Sequence, residues 1–239
     1  MKKFLLFLIL LPMLGFTQSK NVLSTFRVFP VPGKALEFKK AVIAHIAKYH
    51  TTERKWRVFE VMSGPEAGAY LFIEGPQTWD EIEKSPKTTD AHTTDWDKTV
   101  EVFVSKTTNT DYLAFQEANS TVKQTDYVDN IILNHQVIAT GMVEKAWNLM
   151  DKMKKVWVDG NESMAVYTAV ASGEPTIVTS RRLKTGLKEL DPSFSKPMAE
   201  RYTAANGAGS WSDYLEAYSK AFSMRWSEHL QARPELSSK

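Results

Sequence analysis

Histidine is the residue type best suited to acid–base chemistry here, and the chain has five histidines and no cysteine. Metal sites often use histidines at positions i and i+3 or i+4 of one helix, or cysteine thiolates. No two of these histidines have that spacing, so the sequence predicts no metal site. It also lacks a glycine-rich phosphate loop and a Gly-x-Ser-x-Gly nucleophile turn.

Two histidines are candidates for a ligand site. His135 shares one face of a predicted strand with Ile131, Leu133 and Val137. Such a histidine is either a core residue with a satisfied hydrogen bond or a pocket residue that binds a ligand or moves a proton. His92 lies in a polar stretch, residues 88–95, where the simplest interpretation is a surface residue.

The predicted elements that must position these residues occur twice in the same order. Each half has a strand, a helix with apolar residues at helical spacing, a hairpin of two strands, further helical segments and a last strand. The strands of the first half are predicted over residues 23–29, 56–62, 69–74 and 112–116, and those of the second half begin with 130–137, 164–170 and 176–180.

Short segments of the two halves also align. Asn21-Val22-Leu23 matches Asn130-Ile131-Ile132, and residues 78–82 match residues 186–190, with a proline shortly after each. This order predicts a tandem duplication. The repeats would span residues 18–118 and 128–239, joined by a polar linker over 119–127, while two unrelated α+β segments remain the alternative.

A βαββαβ unit is the ferredoxin-like arrangement, in which helices cover one face of an antiparallel sheet. The other face needs a cover, and a second copy can supply it, sheet against sheet. The predicted fold class is therefore α+β: two tandem ferredoxin-like βαββαβ repeats that form an intramolecular, pseudo-dimeric α+β barrel. We expect such a pseudo-dimer within one chain to be a monomer.

The amino terminus predicts export. Lys2 and Lys3 precede an apolar run over residues 4–14, and small residues lead to a cleavage site before Gln18. Residues 1–17 are thus a predicted signal peptide, which places the protein in the periplasm or outside the cell, with no membrane anchor in the mature chain. Without Lys2 and Lys3 the basic and acidic residues balance, so a nucleic-acid partner is not expected.

One segment of the first half resembles a known superfamily. Gln77-Thr78-Trp79 opens the predicted second helix, Lys84-Ser85-Pro86 follows, and His92 ends the stretch. Together with the pattern of both halves, this segment resembles the dimeric α+β barrel superfamily, in particular proteins like the antibiotic-biosynthesis monooxygenases and their haem-degrading relatives.

The resemblance implies positions for a site. The haem-degrading relatives use a histidine and a tryptophan on the second helix and an asparagine on the first strand. His92 falls at the place of that histidine, Ile82 at the place of the tryptophan with Trp79 one turn away, and Phe26 near the place of the asparagine. Haem is therefore the one cofactor that the resemblance allows.

The predicted function is that of an exported protein that binds a small, mainly apolar molecule between sheet and helices, without a required cofactor. One alternative is a cofactor-free monooxygenase or haem-handling enzyme, and another is a structural or interaction module with filled interiors. The predicted ligand-binding residues are His92, His135, Trp79, Ile82, Phe26 and Tyr167.

Overall fold

The computed structural model describes residues 19–52, 54–85 and 87–239, so the predicted signal peptide lies outside the described residues. Among these residues, no helix combines the length and apolarity that a membrane span requires.

The first half of the described chain alternates strands with helices. Its elements are β1 (Val22–Pro30), α1 (Ala35–Tyr49), β2 (Trp56–Ser63), β3 (Tyr70–Gln77), α2 (Trp79–Glu83), α3 (Asp90–Asp95), β4 (Val104–Thr107) and β5 (Asp111–Phe115). In α1, Phe38, Val42 and Ile46 recur every four positions and are buried, as the helical spacing predicts. A π-helical turn, Trp96–Val100, follows α3 directly.

The second half begins after a segment without long elements. Its elements are β6 (Asn130–Ile138), α4 (Val143–Asp159), β7 (Met164–Val170), β8 (Thr176–Arg182), α5 (Met198–Asn206), α6 (Ser210–Ala221) and β9 (Phe222–Ala232). The buried face of α4 carries Ala146, Leu149, Met153 and Val156, which again have helical spacing.

Eight strands close into a single antiparallel barrel in the order β3-β2-β9-β6-β8-β7-β5-β1, because β1 also pairs with β3. Two seams join strands that are far apart in sequence. At one seam β2 pairs with β9, with Val61 opposite Leu230, and at the other β5 pairs with β7, with Leu113 opposite Ala169. The short strand β4 pairs with the end of β1 that β5 leaves free.

The predicted fold class is therefore wrong. It expected two ferredoxin-like βαββαβ repeats with two sheets facing each other, whereas the structure has one closed eight-stranded antiparallel barrel with helices outside it. The physical reason lies at the strand edges, because an unpaired edge exposes backbone donors and acceptors, and closure satisfies them. The tandem duplication stays a prediction.

Apolar side chains fill three regions. One cluster fills the barrel and includes Leu23, Leu133 and Leu230. The other two lie outside the barrel, between its wall and the helices. The cluster of the first half packs α1 against β1, β2 and β3, and the cluster of the second half packs α4, α5 and α6 against β7 and β8.

One end of the barrel is closed by the segment over residues 119–127. Val122 of this segment and Val128, which follows it, pack against the apolar cluster inside the barrel. The guanidinium of Arg182 is buried and donates hydrogen bonds to backbone carbonyls of this segment, including that of Gln124 at 2.9 Å. The predicted linker thus closes this end of the barrel, and the open cavity of the barrel lies at the other end.

Candidate functional site

Three strands bring polar side chains to the open end of the barrel. The inward-facing residues of β6 are Ile131, Leu133 and His135, and those of β9 are Trp226, Glu228 and Leu230. On β1, Arg27 follows Leu23 and Thr25 on the inward face. Because side chains alternate along a strand, each of these residues faces the barrel interior, and Arg27, His135 and Glu228 meet toward the open end while Leu23, Ile131 and Leu230 lie deeper in the barrel.

Arg27 and Glu228 form a buried ion pair beside the half-buried imidazole of His135. The Arg27 Nη2 atom donates to Glu228 Oε2 at 2.8 Å, and Arg27 Nε lies 3.1 Å from Glu66 Oε2. The same Glu228 oxygen lies 3.5 Å from His135 Nε2. The His135 ring stacks on Trp226 with 4.5 Å between the ring centres. Glu228 is 1% exposed, so this carboxylate depends on its two partners rather than on water.

The close approach of β2 and β9 beside this group requires a glycine. Gly64 has a φ of +103°, and a Cβ atom there would lie 2.7 Å from the carbonyl oxygen of Ser227 and 3.0 Å from Glu228 Cγ. Any other residue would therefore displace the strand that carries Glu228.

Charge and burial act in opposite directions on the two carboxyl groups of this end. Burial by itself raises the pKa of Glu228, but His135 and Arg27 favour the charged form and bring that pKa below its ordinary value. Partial desolvation raises the pKa of Asp111, against the opposing effect of Arg27 and His135. The site therefore holds Glu228 as a carboxylate beside a cation and an imidazole.

Three buried polar atoms of this group have no hydrogen-bond partner among the described residues. They are Arg27 Nη1, Glu228 Oε1 and His135 Nε2, of which the last still lies 3.5 Å from Glu228 Oε2. Buried polar atoms in native proteins are almost always paired, so unpaired atoms that converge indicate a bound molecule or water. The adjoining cavity has a volume of about 510 Å³, and its apolar wall is formed by Leu71, Leu113, Leu133 and Val178. We call it the barrel cavity.

A second cavity of about 500 Å³ lies on the other face of β6 and β9, under α4 and α6. Its sheet wall is polar, with Asn134, Gln136 and Arg181, and its helix wall carries Met150, Met153, Trp157, Tyr214 and Tyr218. The Tyr218 hydroxyl donates to Gln136 Oε1 at 3.0 Å. Burial raises the pKa of Tyr218, so this phenol is neutral at ordinary pH. We call this space the helix cavity.

The predicted site residues do not form one site. His135 lines the barrel cavity and also borders the helix cavity. Tyr167 also faces the barrel interior, where its hydroxyl accepts a hydrogen bond from Arg182 Nη2 at 3.4 Å. Burial raises its pKa. Phe26 and Ile82 line a smaller cavity of about 200 Å³ beneath α2, and Trp79 is 40% exposed at the start of that helix.

His92 meets two other histidines instead of a cavity. Its Nε2 atom lies 2.9 Å from His45 Nε2, and His50 is within reach of both. His45 and His50 are at the carboxyl-terminal end of α1, and both are buried. Burial lowers the pKa of all three imidazoles, most clearly that of His50, to about 4.

A haem at His92 does not fit this arrangement. Haem needs an axial ligand that faces an open space of its own size. Here the Nε2 atom of His92 faces His45 Nε2 at 2.9 Å and no space of the size of a haem. The adjacent space between helices and sheet is filled by Phe26, Trp56 and Trp96, whose rings are in edge-to-face contact.

Sequence reasoning missed Arg27, Glu228 and Trp226. Arg27 interrupts the apolar inward face of β1, as His135 interrupts that of β6. This interruption is the sequence feature that could have identified Arg27. Glu60 of β2 is paired with Arg233 Nε at 2.6 Å.

No protein-family model and no curated protein matches the sequence. Solved structures share its fold. One is a candidate monooxygenase from Fusobacterium nucleatum, with a TM-score of 0.53 and 10% identity over 88% of this chain and 91% of that one. Another is an anthrone oxidase-like protein, with a TM-score of 0.52 and 13% identity over 90% and 92%.

A third similar structure is a chlorite dismutase mutant from Candidatus Nitrospira defluvii, with a TM-score of 0.52 and 8% identity over 92% of this chain and 94% of that one. These three structures share the fold of this chain, and the predicted membership of the dimeric α+β barrel superfamily stays a prediction. At such identities the likeness establishes a shared fold.

Proposed function

We propose that the chain is a monooxygenase-type enzyme that oxidises a small, mainly apolar molecule bound in the barrel cavity. The observation that carries the proposal is the convergence of Arg27 and His135 on that cavity, beside the buried carboxylate of Glu228, with Arg27 Nη1 and Glu228 Oε1 left without a hydrogen-bond partner among the described residues. A cavity with apolar walls and a few convergent polar groups is typical of small-molecule sites.

The three side chains have complementary roles. His135 is the base, and its Nδ1 atom, which has no hydrogen-bond partner among the described residues, takes the proton. Glu228 lies on the opposite edge of the ring and stabilises the imidazolium that forms. Arg27 balances the negative charge that develops on the substrate. The substrate class is an aromatic molecule with an acidic methylene or hydroxyl group.

The oxidant in this proposal is O₂. Removal of a proton from an activated methylene leaves an electron-rich carbon that reacts with O₂. One oxygen atom stays on that carbon as a carbonyl, and the other leaves as water with the two methylene hydrogens. The fold shared with the candidate monooxygenase and the anthrone oxidase-like protein supports this class of reaction.

The test uses the mature chain with anthrone and related hydroxylated tricyclic aromatics under ¹⁸O₂. We expect ¹⁸O in the carbonyl product, and a His135→Gln variant with kcat lower by roughly 100-fold or more. The matched control is His229→Gln. His229 is the neighbour of Glu228 on β9, and its ring contacts Asn130 at 3.0 Å.

Two results would contradict the proposal. One is oxidation at the same rate by the wild type and His135→Gln. The other is a wild type that neither binds nor oxidises any of these aromatics. If a Met153→Trp variant, which fills the helix cavity, abolished binding while His135→Gln did not, the site would lie in the helix cavity instead.

We also propose that the protein is exported. The basic start, the apolar run over residues 4–14 and the small residues before Gln18 support cleavage at that position. Mass spectrometry of the protein from its native host should give a mature amino terminus near Gln18. Recovery of the chain with Met1 from the cytoplasmic fraction would contradict export.

A further inference from the structure

Three histidines from two helices meet on the outside of the barrel, away from the barrel cavity. His45 lies in α1, His50 ends that helix, and His92 lies in α3. The Tyr49 hydroxyl donates to the carbonyl oxygen of Ala91 at 3.2 Å and so helps to join the two helices. One ring nitrogen from each histidine lies within 4.8 Å of the other two.

The outer nitrogens of two rings are already held. His45 Nδ1 lies 2.8 Å from Asp95 Oδ2, and His50 Nδ1 donates to the carbonyl oxygen of Arg54 at 2.8 Å. In metal sites the ring nitrogen that does not bind the metal is held in this way, by a carboxylate or a backbone carbonyl, which fixes the ring and its tautomer. The Nε2 atoms of His45 and His50 are thereby directed to the common centre.

One of these Nε2 atoms is left unpaired. His50 is 0% exposed, and its Nε2 atom has no hydrogen-bond partner among the described residues. An unpaired buried polar atom costs free energy unless something binds it. The Trp56 ring stacks on His50 with 3.5 Å between the ring centres, which restricts rotation of the imidazole toward another partner.

We propose that His45, His50 and His92 bind a divalent transition metal ion, such as Zn²⁺, through their Nε2 atoms. Three protein ligands leave a fourth position for water or an external ligand, which is the arrangement of catalytic rather than structural zinc sites. Neutral imidazole also suits copper, nickel and iron, so the ligand class is a borderline transition metal.

Metal binding requires a rearrangement of the rings. Zn–N bonds of about 2.0–2.1 Å in a tetrahedron place ligand nitrogens roughly 3.3 Å apart. The 2.9 Å gap between His45 and His92 must widen by a few tenths of an ångström, and a separation of up to 4.8 Å must shorten. His92 is the least buried of the three histidines, so its ring has the most freedom to move.

Metal binding replaces the hydrogen bond between His45 and His92 without changing the number of protons on the three imidazoles. In the metal-free cluster, one proton is shared between His45 Nε2 and His92 Nε2. Since Asp95 holds His45 in the Nδ1–H tautomer, that proton belongs to His92 and moves to its Nδ1 atom when the ion binds. The Asp95 carboxylate then balances part of the added charge through His45, while Lys48 fixes Asp95 at 2.6 Å.

The backbone around Asp95 supports a functional role. The π-helical turn Trp96–Val100 begins at the next residue, and π-turns inside helices are frequent at functional sites. The site rests on no part of the proposed oxidation, so either proposal can fail without the other. It departs from the sequence expectation of no metal, which considered spacing only along one helix.

The test measures binding of Zn²⁺ alone to chelator-treated mature protein by calorimetry, and of Co²⁺ by its visible absorption. We expect one ion per chain and a tetrahedral Co²⁺ spectrum. His92→Ala should weaken binding by roughly 100-fold or more, and Asp95→Asn by roughly 10- to 100-fold. His229→Ala, which removes a histidine outside the cluster, should bind as the wild type does.

A second measurement does not depend on any variant. Zn²⁺ at about 100 times its Kd should raise the Tm of the wild-type chain by roughly 5–10 °C. Absence of a Tm shift together with no calorimetric binding would overturn the proposal. Equal Zn²⁺ affinity in the wild type and His92→Ala would overturn it as well, because the ion would then lie elsewhere.

Discussion

At the scale of single residues, substitutions of the Arg27–Glu228 pair test how much the buried charges beside the barrel cavity contribute to stability. Glu228→Gln removes the charge that faces the buried Arg27 guanidinium, while Glu66 remains at 3.1 Å. We expect a loss of about 2–4 kcal/mol in the free energy of unfolding. Replacing both partners, in Arg27→Met/Glu228→Leu, should cost much less than the sum of the single variants, and urea unfolding of the four proteins measures this coupling.

The same carboxylate predicts how stability changes with pH. The pKa of Glu228 is lower in the folded chain than its ordinary value of 4.5, because His135 and Arg27 favour the charged form. Its contribution is therefore present above pH 4.5 and is lost as the pH falls through the lower, folded-state pKa. Thermal melts between pH 7 and pH 3 should show the wild type and Glu228→Gln converging in Tm at the acid end. A constant Tm difference would contradict this assignment.

How far the site could be predicted from the sequence depends on the residue. His135 could be placed on an inward strand face because its neighbours at two-residue spacing are apolar. Glu228 could not, since its importance comes from strands that meet across the barrel. His45 and His50 could not be joined to His92 either. Spacing along one helix says nothing about a ligand from another, and the two helices meet only after the chain has folded.

At the scale of elements, the seam between β2 and β9 predicts an unequal effect of two glycine substitutions. A Cβ at Gly64 would lie 2.7 Å from a backbone carbonyl of β9, whereas at Gly68, with φ +91°, it would meet open space. Gly68→Ala should cost about 1 kcal/mol from backbone strain alone, and Gly64→Ala about 3 kcal/mol or more. Urea unfolding compares them, and equal losses would count against this close approach.

The elements themselves were largely predictable, and their pairing was not. Alternating and helical spacing placed β1, β6, α1 and α4, because each has one buried face. The spacing of apolar residues along a strand does not show which other strand pairs with its edge. For that reason the sequence predicted two facing sheets. It did not predict the pairing of Val61 with Leu230 or of Leu113 with Ala169.

At the scale of the whole molecule, closure of the barrel predicts that neither half is stable by itself. A fragment over residues 18–127 would leave the outer edges of β2 and β5 unpaired, and it would expose the apolar residues that fill the barrel. Exposed edges and a large apolar surface favour association. We therefore expect this fragment alone to form dimers or aggregates, and we expect co-expression with residues 128–239 to give a soluble one-to-one complex. Size-exclusion chromatography with light scattering distinguishes these species. A soluble, cooperatively folding monomer of the first fragment would show that the two seams are dispensable, and the barrel would then be an association of two independent units.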